Sequence, residues 1–266
     1  MTFFKTYSLK KYKSLVFPIG VMGGLIYLSA LGCEVEFDRF WKGMAVGGRL
    51  IVSFFPPAWG DFGDMMYPAL ETLLLAVIAT PLAVVVSFGV ALMSANNVSG
   101  TWVRSGARFL MSAERATPDI IVAFFFVAAF GIGPMAGIIA LALGSIGMLG
   151  KLFADAMEEI DPRLLEAIEC VGASKLQVLR YGILPSVLPS MVANSLFRFE
   201  INIRSAALLG MVGAGGIGYE LSQAMALLEY QRATVAILVT VAMVFLAERV
   251  SGFLRHKILT RSQALV

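Results

Sequence analysis

The chain has 266 residues, 58% of them hydrophobic and 15% charged, with mean hydropathy +0.81. An ordinary soluble domain carries about 25% charged residues, so too few polar side chains are present to cover a water-exposed surface. A net charge of +3 gives nucleic-acid binding no support, and a single histidine, His256 in the tail, argues against a histidine-built metal site.

Nearly uncharged stretches recur, such as Thr72 to Ala95 and Ile120 to Gly150. Runs of roughly 18 apolar residues are long enough to cross a bilayer as helix. The reading is an all-α membrane protein with six transmembrane helices, at about 15–32, 70–94, 107–130, 134–154, 185–208 and 232–254. Residues 1–14 form a basic N-terminus carrying Lys5, Lys10, Lys11 and Lys13, and residues 15–69 hold the first helix and an outer segment. Ala30-Leu31-Gly32-Cys33 has the outline of a lipoprotein signal. Ala30 stands where a branched apolar residue belongs, and five further spans follow, so an uncleaved first helix is expected. Glu34 to Pro68 is partly amphipathic, with Asp38, Arg39, Lys42, Arg49 and a Pro56-Pro57-Ala58-Trp59 turn. Residues 70–254 are the membrane core, and 255–266 a tail. Gly131-Ile132-Gly133-Pro134 predicts a tight turn between the third and fourth spans.

Lysine and arginine in the connecting segments set the orientation. With six spans both termini share one side, which collects fourteen of these residues against five on the other. Both termini are therefore expected in the cytoplasm, with Cys33 and Cys170 on opposite sides and unable to bridge. No G-x-x-x-x-G-K-[ST] loop occurs, so the chain does not bind ATP by that route.

Asp155 to Leu184 is the longest polar stretch on the predicted cytoplasmic side. Asp161 suits a helix cap, and Pro162 suits the first turn. Leu164, Leu165, Ile168 and Val171 then form one apolar stripe, with Glu158, Glu159, Glu166 and Glu169 pointing elsewhere. Gly172 ends this helix, and Leu176, Val178 and Leu179 resume a second before Pro185. Helices lying on membranes usually carry a basic polar face. This one is acidic, which favours insertion into a partner's groove.

Glu166-Ala167-Ile168-Glu169-Cys170-Val171-Gly172, followed after nine residues by Gly182-Ile183-Leu184-Pro185, resembles the E-A-A-x3-G-x9-I-x-L-P signature of permease subunits of bacterial ABC importers. Ile168 replaces the second alanine and Gly182 the isoleucine. From about residue 70 onward the likeness extends to the phosphonate-uptake branch. It is carried by Phe130 to Pro134, Leu149 to Phe153, Gly172 to Lys175, Arg198 to Ala206 and Val212 to Glu220. The resemblance implies a type I importer (MetI-like) permease fold in the bacterial inner membrane. It implies transport of phosphonate, phosphite or phosphate by alternating access, and no enzymatic activity in this chain. The implied partners are a second copy of itself, two ATPase subunits that hold ATP and Mg, and a periplasmic substrate-binding protein. Residues 161–176 become the coupling helix, with Asp161, Leu164, Leu165, Glu166, Ala167, Glu169, Gly172 and Ala173 as its ATPase contacts.

A charged side chain at a helix centre costs about 2.5–3.5 kcal/mol on insertion scales. The fifth span nonetheless holds Arg198, Glu200, Asn202 and Arg204. At 100° per residue Arg198 and Asn202 share one face, and Glu200 and Arg204 share another about 200° away. Glu200 and Arg204 are spaced for a structural ion pair. Arg198 either finds Glu114 or Asp119 of the third span, or faces the pathway. Arginine suits an anionic oxygen pair because its planar fork binds two oxygens together. Arg198, Asn202, Arg204 and Arg115 are the expected pathway residues, and a pathway role predicts that Arg198→Ala impairs transport more than assembly. Pro118 is expected to kink the third span. Gly213, Gly215, Gly216 and Gly218 match G-x-G-x-x-G literally, but no strand precedes them. They are read as a tight turn for close packing or gating. Two other classes compete. An ion-gradient-driven carrier normally shows internal repeats, which are absent here. An intramembrane enzyme needs a clustered nucleophile and base, for which nothing qualifies.

Overall fold

The computed structural model describes the backbone of residues 3–33 and 36–263 and the side chains of residues 18–33 and 36–258. Every regular element among them is helical. Two compact units divide the chain, Met1–Ser53 and Phe54–Val266.

The first unit contains α1 (Phe3–Gly32) and α2 (Phe37–Ser53). The stretch Pro18–Gly32 and α2 are bent by 69° to each other. Along α2, Asp38 pairs with Lys42 one turn on at 2.5 Å, while Phe37, Phe40 and Trp41 are exposed. The side chains of Lys5, Lys10, Lys11 and Lys13 lie outside the described residues.

The second unit runs through α3 (Phe62–Ser94), α4 (Thr101–Ala116), α5 (Asp119–Phe130), α6 (Pro134–Glu158), α7 (Pro162–Cys170), α8 (Lys175–Gln177), α9 (Leu184–Leu209), α10 (Gly216–Ala226) and α11 (Tyr230–Gln263). Helix α3 presents Met65, Ala69, Thr72, Ala76, Ala79, Ala83, Ser87, Ala91 and Ser94 as one buried row. Three- and four-residue spacing puts them on a single face. Their small size lets α6 and α9 approach closely, as spans must where lipid supplies no hydrophobic drive. Three apolar clusters result. One joins α3, α6 and α9 around Phe153 and Met157, one gathers around Leu75, Leu141 and Leu209, and one joins α3, α10 and α11 around Met65, Ile217 and Val235.

The span count differs from the six expected. Among the described residues three helices are individually long and apolar enough to cross a membrane: Trp59–Ser94, Pro134–Glu158 and Tyr230–Ile258. Counting each bent pair as one span gives up to five, the second pair being Lys175–Ala214 with Gly216–Ala226, bent by 54°. The third expected span is two helices, not one kinked helix. Thr117 and Pro118 are extended, with ψ of 121° and 132°. Proline disfavours helical geometry in the residue before it and has no N–H to give. This leaves α4 amphipathic and α5 only 12 residues long. Pro185, expected to close a helix, lies inside one instead. The π turn Val178–Ile183 just before it reorganises the hydrogen bonds that its ring would break.

Candidate functional site

Two groups of residues stand out, an exposed helix between α6 and α9 and a buried polar network among α3, α6 and α9. In the first, Asp161 Oδ1 accepts the Arg163 amide at 2.9 Å and so caps α7. Gly172 follows the helix at φ +83°, a conformation that suits glycine after a C-terminus. Ser174 then opens α8, its amide donating to Gln177 Oε1 at 2.7 Å.

The apolar stripe of α7 is divided between two surroundings. Leu165 packs against the Phe153 cluster, and Ile168 rests against Gly182, whose missing side chain makes room for it. Leu164 stays 46% exposed and Val171 83% exposed. The same segment therefore anchors itself to the membrane core and offers leucine, valine, Glu166 and Glu169 outward. Asp161, Ala167 and Gly172 are likewise exposed, while Ala173 is half-buried.

In the second group, Arg198 is 6% exposed and Asn202 fully buried. Arg198 donates from Nε to Ser145 Oγ at 2.8 Å and from Nη2 to the Gly144 carbonyl at 2.7 Å. Its Nη1 lies 3.4 Å from Met148 Sδ. The Ser145 hydroxyl reaches the Leu141 carbonyl at 2.6 Å and Asn202 Oδ1 at 3.1 Å. Asn202 Nδ2 donates to Thr80 Oγ1 at 3.0 Å, and that hydroxyl donates to the Ala76 carbonyl at 2.8 Å. Each hydroxyl both accepts and donates, so the bonds polarise one another along the chain. Among the described residues no carboxylate pairs with Arg198 within 4 Å; Asp119 and Glu114 act on it through longer-range charge interaction. Asp119 sits against Gly144, and Glu114 against Gly147, where α6 lacks side chains.

Arg198 and Asn202, expected along the pathway, are thus enclosed between helices. The reason is local: Ser145 and the Gly144 carbonyl receive the guanidinium, and Thr80 and Ser145 pair with the Asn202 amide. Arg204 reaches Glu200 at 3.5 Å and Glu248 of α11 at 2.5 Å, and remains half-exposed. Arg115 is exposed at the end of α4. The glycine run forms a close-packed turn. Gly213, Gly215 and Gly216 all have positive φ. The Gly133 amide donates to the Gly213 carbonyl at 2.9 Å, and the Ile217 amide donates to Thr72 Oγ1 at 2.8 Å. Gly218 abuts the backbone of Ala207.

Sequence reasoning passed over Thr72, Thr80, Ser145 and Glu248. A signal for the first two existed: Thr72, Thr80, Ser87 and Ser94 repeat at seven or eight residues, one polar line down an apolar span. Among the described residues no group of histidine, cysteine and carboxylates is arranged to hold a metal ion.

The profile of the family described as binding-protein-dependent transport system inner membrane components matches residues 87–260. The chain belongs to this family. It is 40% identical over 201 residues to the phosphite transport system permease protein PtxC of Stutzerimonas stutzeri, covering 75% of this chain and 73% of that one. It is 38% identical over 223 residues to the phosphate-import permease protein PhnE of Mycolicibacterium smegmatis, covering 82% of this chain and 41% of that longer one. Among solved structures, the inward-facing MetNI methionine ABC transporter superposes with TM-score 0.64 at 20% identity, over 73% of this chain and 95% of that one. That likeness fixes the fold as the type I permease architecture. The recognition drawn from Glu166 to Pro185 and from Arg198 to Glu220 therefore stands, and this permease is an all-helical ABC transporter component.

Proposed function

We propose that the chain is the membrane-spanning subunit of an ATP-driven importer of phosphorus oxyanions, the class that includes phosphonate, phosphite and phosphate. The observation that carries the substrate class is the 40% identity with a permease named for phosphite. The exposed Leu164, Glu166, Glu169 and Val171 support the coupling role, because a short capped helix rooted in the membrane core transmits a push along its own axis. A separate ATPase holding ATP and Mg closes on residues 161–176. α7 and α8 carry that movement into α9, and the spans reorient from inward-open to outward-open. A periplasmic binding protein delivers the anion, and two copies of the membrane subunit enclose the path. In this scheme α7 lies in the cytoplasm, on the side that collects the lysine and arginine.

Within this scheme Arg198 and Asn202 act as a clamp that moves α3, α6 and α9 as one block. Arg115 is the arginine of the expected set that solvent reaches at the end of a helix. The close-packed glycine turn at 213–218 is the point about which α10 swings against α9. A bacterium unable to take up phosphite, supplied with this chain and its ATPase and binding protein, tests the substrate class. Growth on phosphite as phosphorus source, competed by phosphonate, is the expected result. Absence of uptake for phosphite, phosphonate and phosphate alike contradicts the reading.

A further inference from the structure

Helix α4 presents Arg108, Ser112 and Arg115 at spacings of four and three, and α6 presents Lys151, Asp155 and Glu158 at the same spacings. All six line one pocket of about 180 Å³. The two helices run in opposite directions there, since Met111 meets Gly150 and Glu114 meets Gly147. At one end, Glu158 accepts from Arg108 Nη2 at 2.6 Å and from the amide and side chain of Asn96 at 2.8 and 2.9 Å. Its charge is fully engaged.

Two turns further along each helix, about 10 Å by helical rise, stand Arg115 and Lys151. Neither has an ion pair or hydrogen bond among the described residues. Two cations brought to one pocket repel each other; Asp155 is the carboxylate of its lining that has no ion pair among the described residues, and Glu114, which attracts Arg115, lies outside that lining. Such an arrangement is stabilised by an anion between them. The pocket is smaller than the roughly 300–1,000 Å³ typical for drug-sized ligands. A guanidinium fork, an ammonium and the Ser112 hydroxyl match the oxygens of a tetrahedral anion.

We infer that Arg115, Lys151 and Ser112 bind a phosphorus oxyanion in the pocket between the C-terminal half of α4 and the C-terminal half of α6. The inference rests on the transport reading and deepens it, placing a weak exit site beside the path. An exposed pair binds loosely, as passage requires. The oxyanion is supplied either by free substrate or by the phosphate of a phospholipid headgroup.

The test places a thiol in the pocket through Ser112→Cys, in the complete complex with its ATPase, after Cys33→Ser and Cys170→Ser. Its reaction rates with anionic and cationic methanethiosulfonate reagents are compared in phosphatidylcholine nanodiscs. The anionic reagent is expected to react about ten-fold faster, as a focused positive site predicts, and inorganic phosphate is expected to slow it. Arg115→Gln with Lys151→Gln abolishes both effects, whereas Arg115→Lys with Lys151→Arg keeps them. Retention of the ATPase shows that each variant is folded. Protection by phosphate in phosphatidylcholine assigns the free ion, and protection by phosphatidylglycerol without added phosphate assigns the lipid; either supports the site. No charge preference and no protection in either bilayer overturns it. Phosphite uptake by the unmodified complex reports on the transport reading separately. Protection without uptake leaves the site and removes that reading, and uptake without protection removes the site alone.

Discussion

Arg198 donates from Nη2 to the carbonyl oxygen of Gly144 across 2.7 Å, so a buried guanidinium on α9 is held by the backbone of α6. Residue 144 has no side chain, and the Asp119 carboxylate of α5 lies where one would stand. Positive charge, carbonyl dipole and carboxylate succeed one another across three helices, and none faces lipid alone.

Arg198→Ala is therefore expected to weaken assembly at least as much as transport, reversing the outcome that a pathway role predicts. It removes the partners of Gly144 and Ser145, and each buried polar group left unsatisfied costs about 1–3 kcal/mol. Arg198→Lys recovers only part, since one ammonium lacks the fork that spans both acceptors. Thermal unfolding in detergent, followed by size-exclusion fluorescence, reads the loss. Wild-type thermal stability together with abolished uptake restores the pathway role.

Gly216 sits at φ +73°, and a methyl group there runs into the Thr72 hydroxyl that accepts the Ile217 amide. Gly216→Ala is expected to cost roughly 1–3 kcal/mol for the backbone alone. Thr72→Val, which orphans the Ile217 amide and drops the bond from Thr72 Oγ1 to the Pro68 carbonyl, falls in the lower half of a similar range. Folded yield and unfolding temperature of both variants check the order.

The divided stripe of α7 gives opposite expectations for adjacent leucines. Leu164→Asp and Val171→Asp place a charge on the exposed side and are expected to release the ATPase while the chain stays inserted and folded. Leu165→Asp drives a charge into the Phe153 cluster and is expected to reduce the yield of the chain itself. Glu166→Lys and Gly172→Asp belong with the first pair. Pull-down of the ATPase, normalised to inserted chain, separates the two groups.

Much of this was legible beforehand because it depends on nearest neighbours. Asp161 caps its own next turn, Gly172 stops its own helix, and Gly133-Pro134 turns the chain, all within a few residues. Overall apolarity set the helical membrane class in the same way. The break at Thr117–Pro118 was visible only as a kink, since apolar length alone does not reveal that the segment on each side is too short to span. Helix continuity through Pro185 depends on a π turn that leaves no compositional trace. The partners of Arg198 lie 53 and 54 residues away in the chain and are a hydroxyl and a carbonyl. Charge pairing, the rule a sequence offers, looked for a carboxylate instead. Glu248 was missed as a partner of Arg204 because it comes from α11, 44 residues on.

The most direct measurement is phosphite uptake into proteoliposomes holding this permease, its ATPase and its binding protein, with all ion gradients collapsed. Uptake is expected to continue while ATP is present on the side of α7, and to stop when ATP is withheld or the ATPase is left out. Phosphite accumulation that follows an ion gradient in vesicles lacking the ATPase contradicts the account at its root.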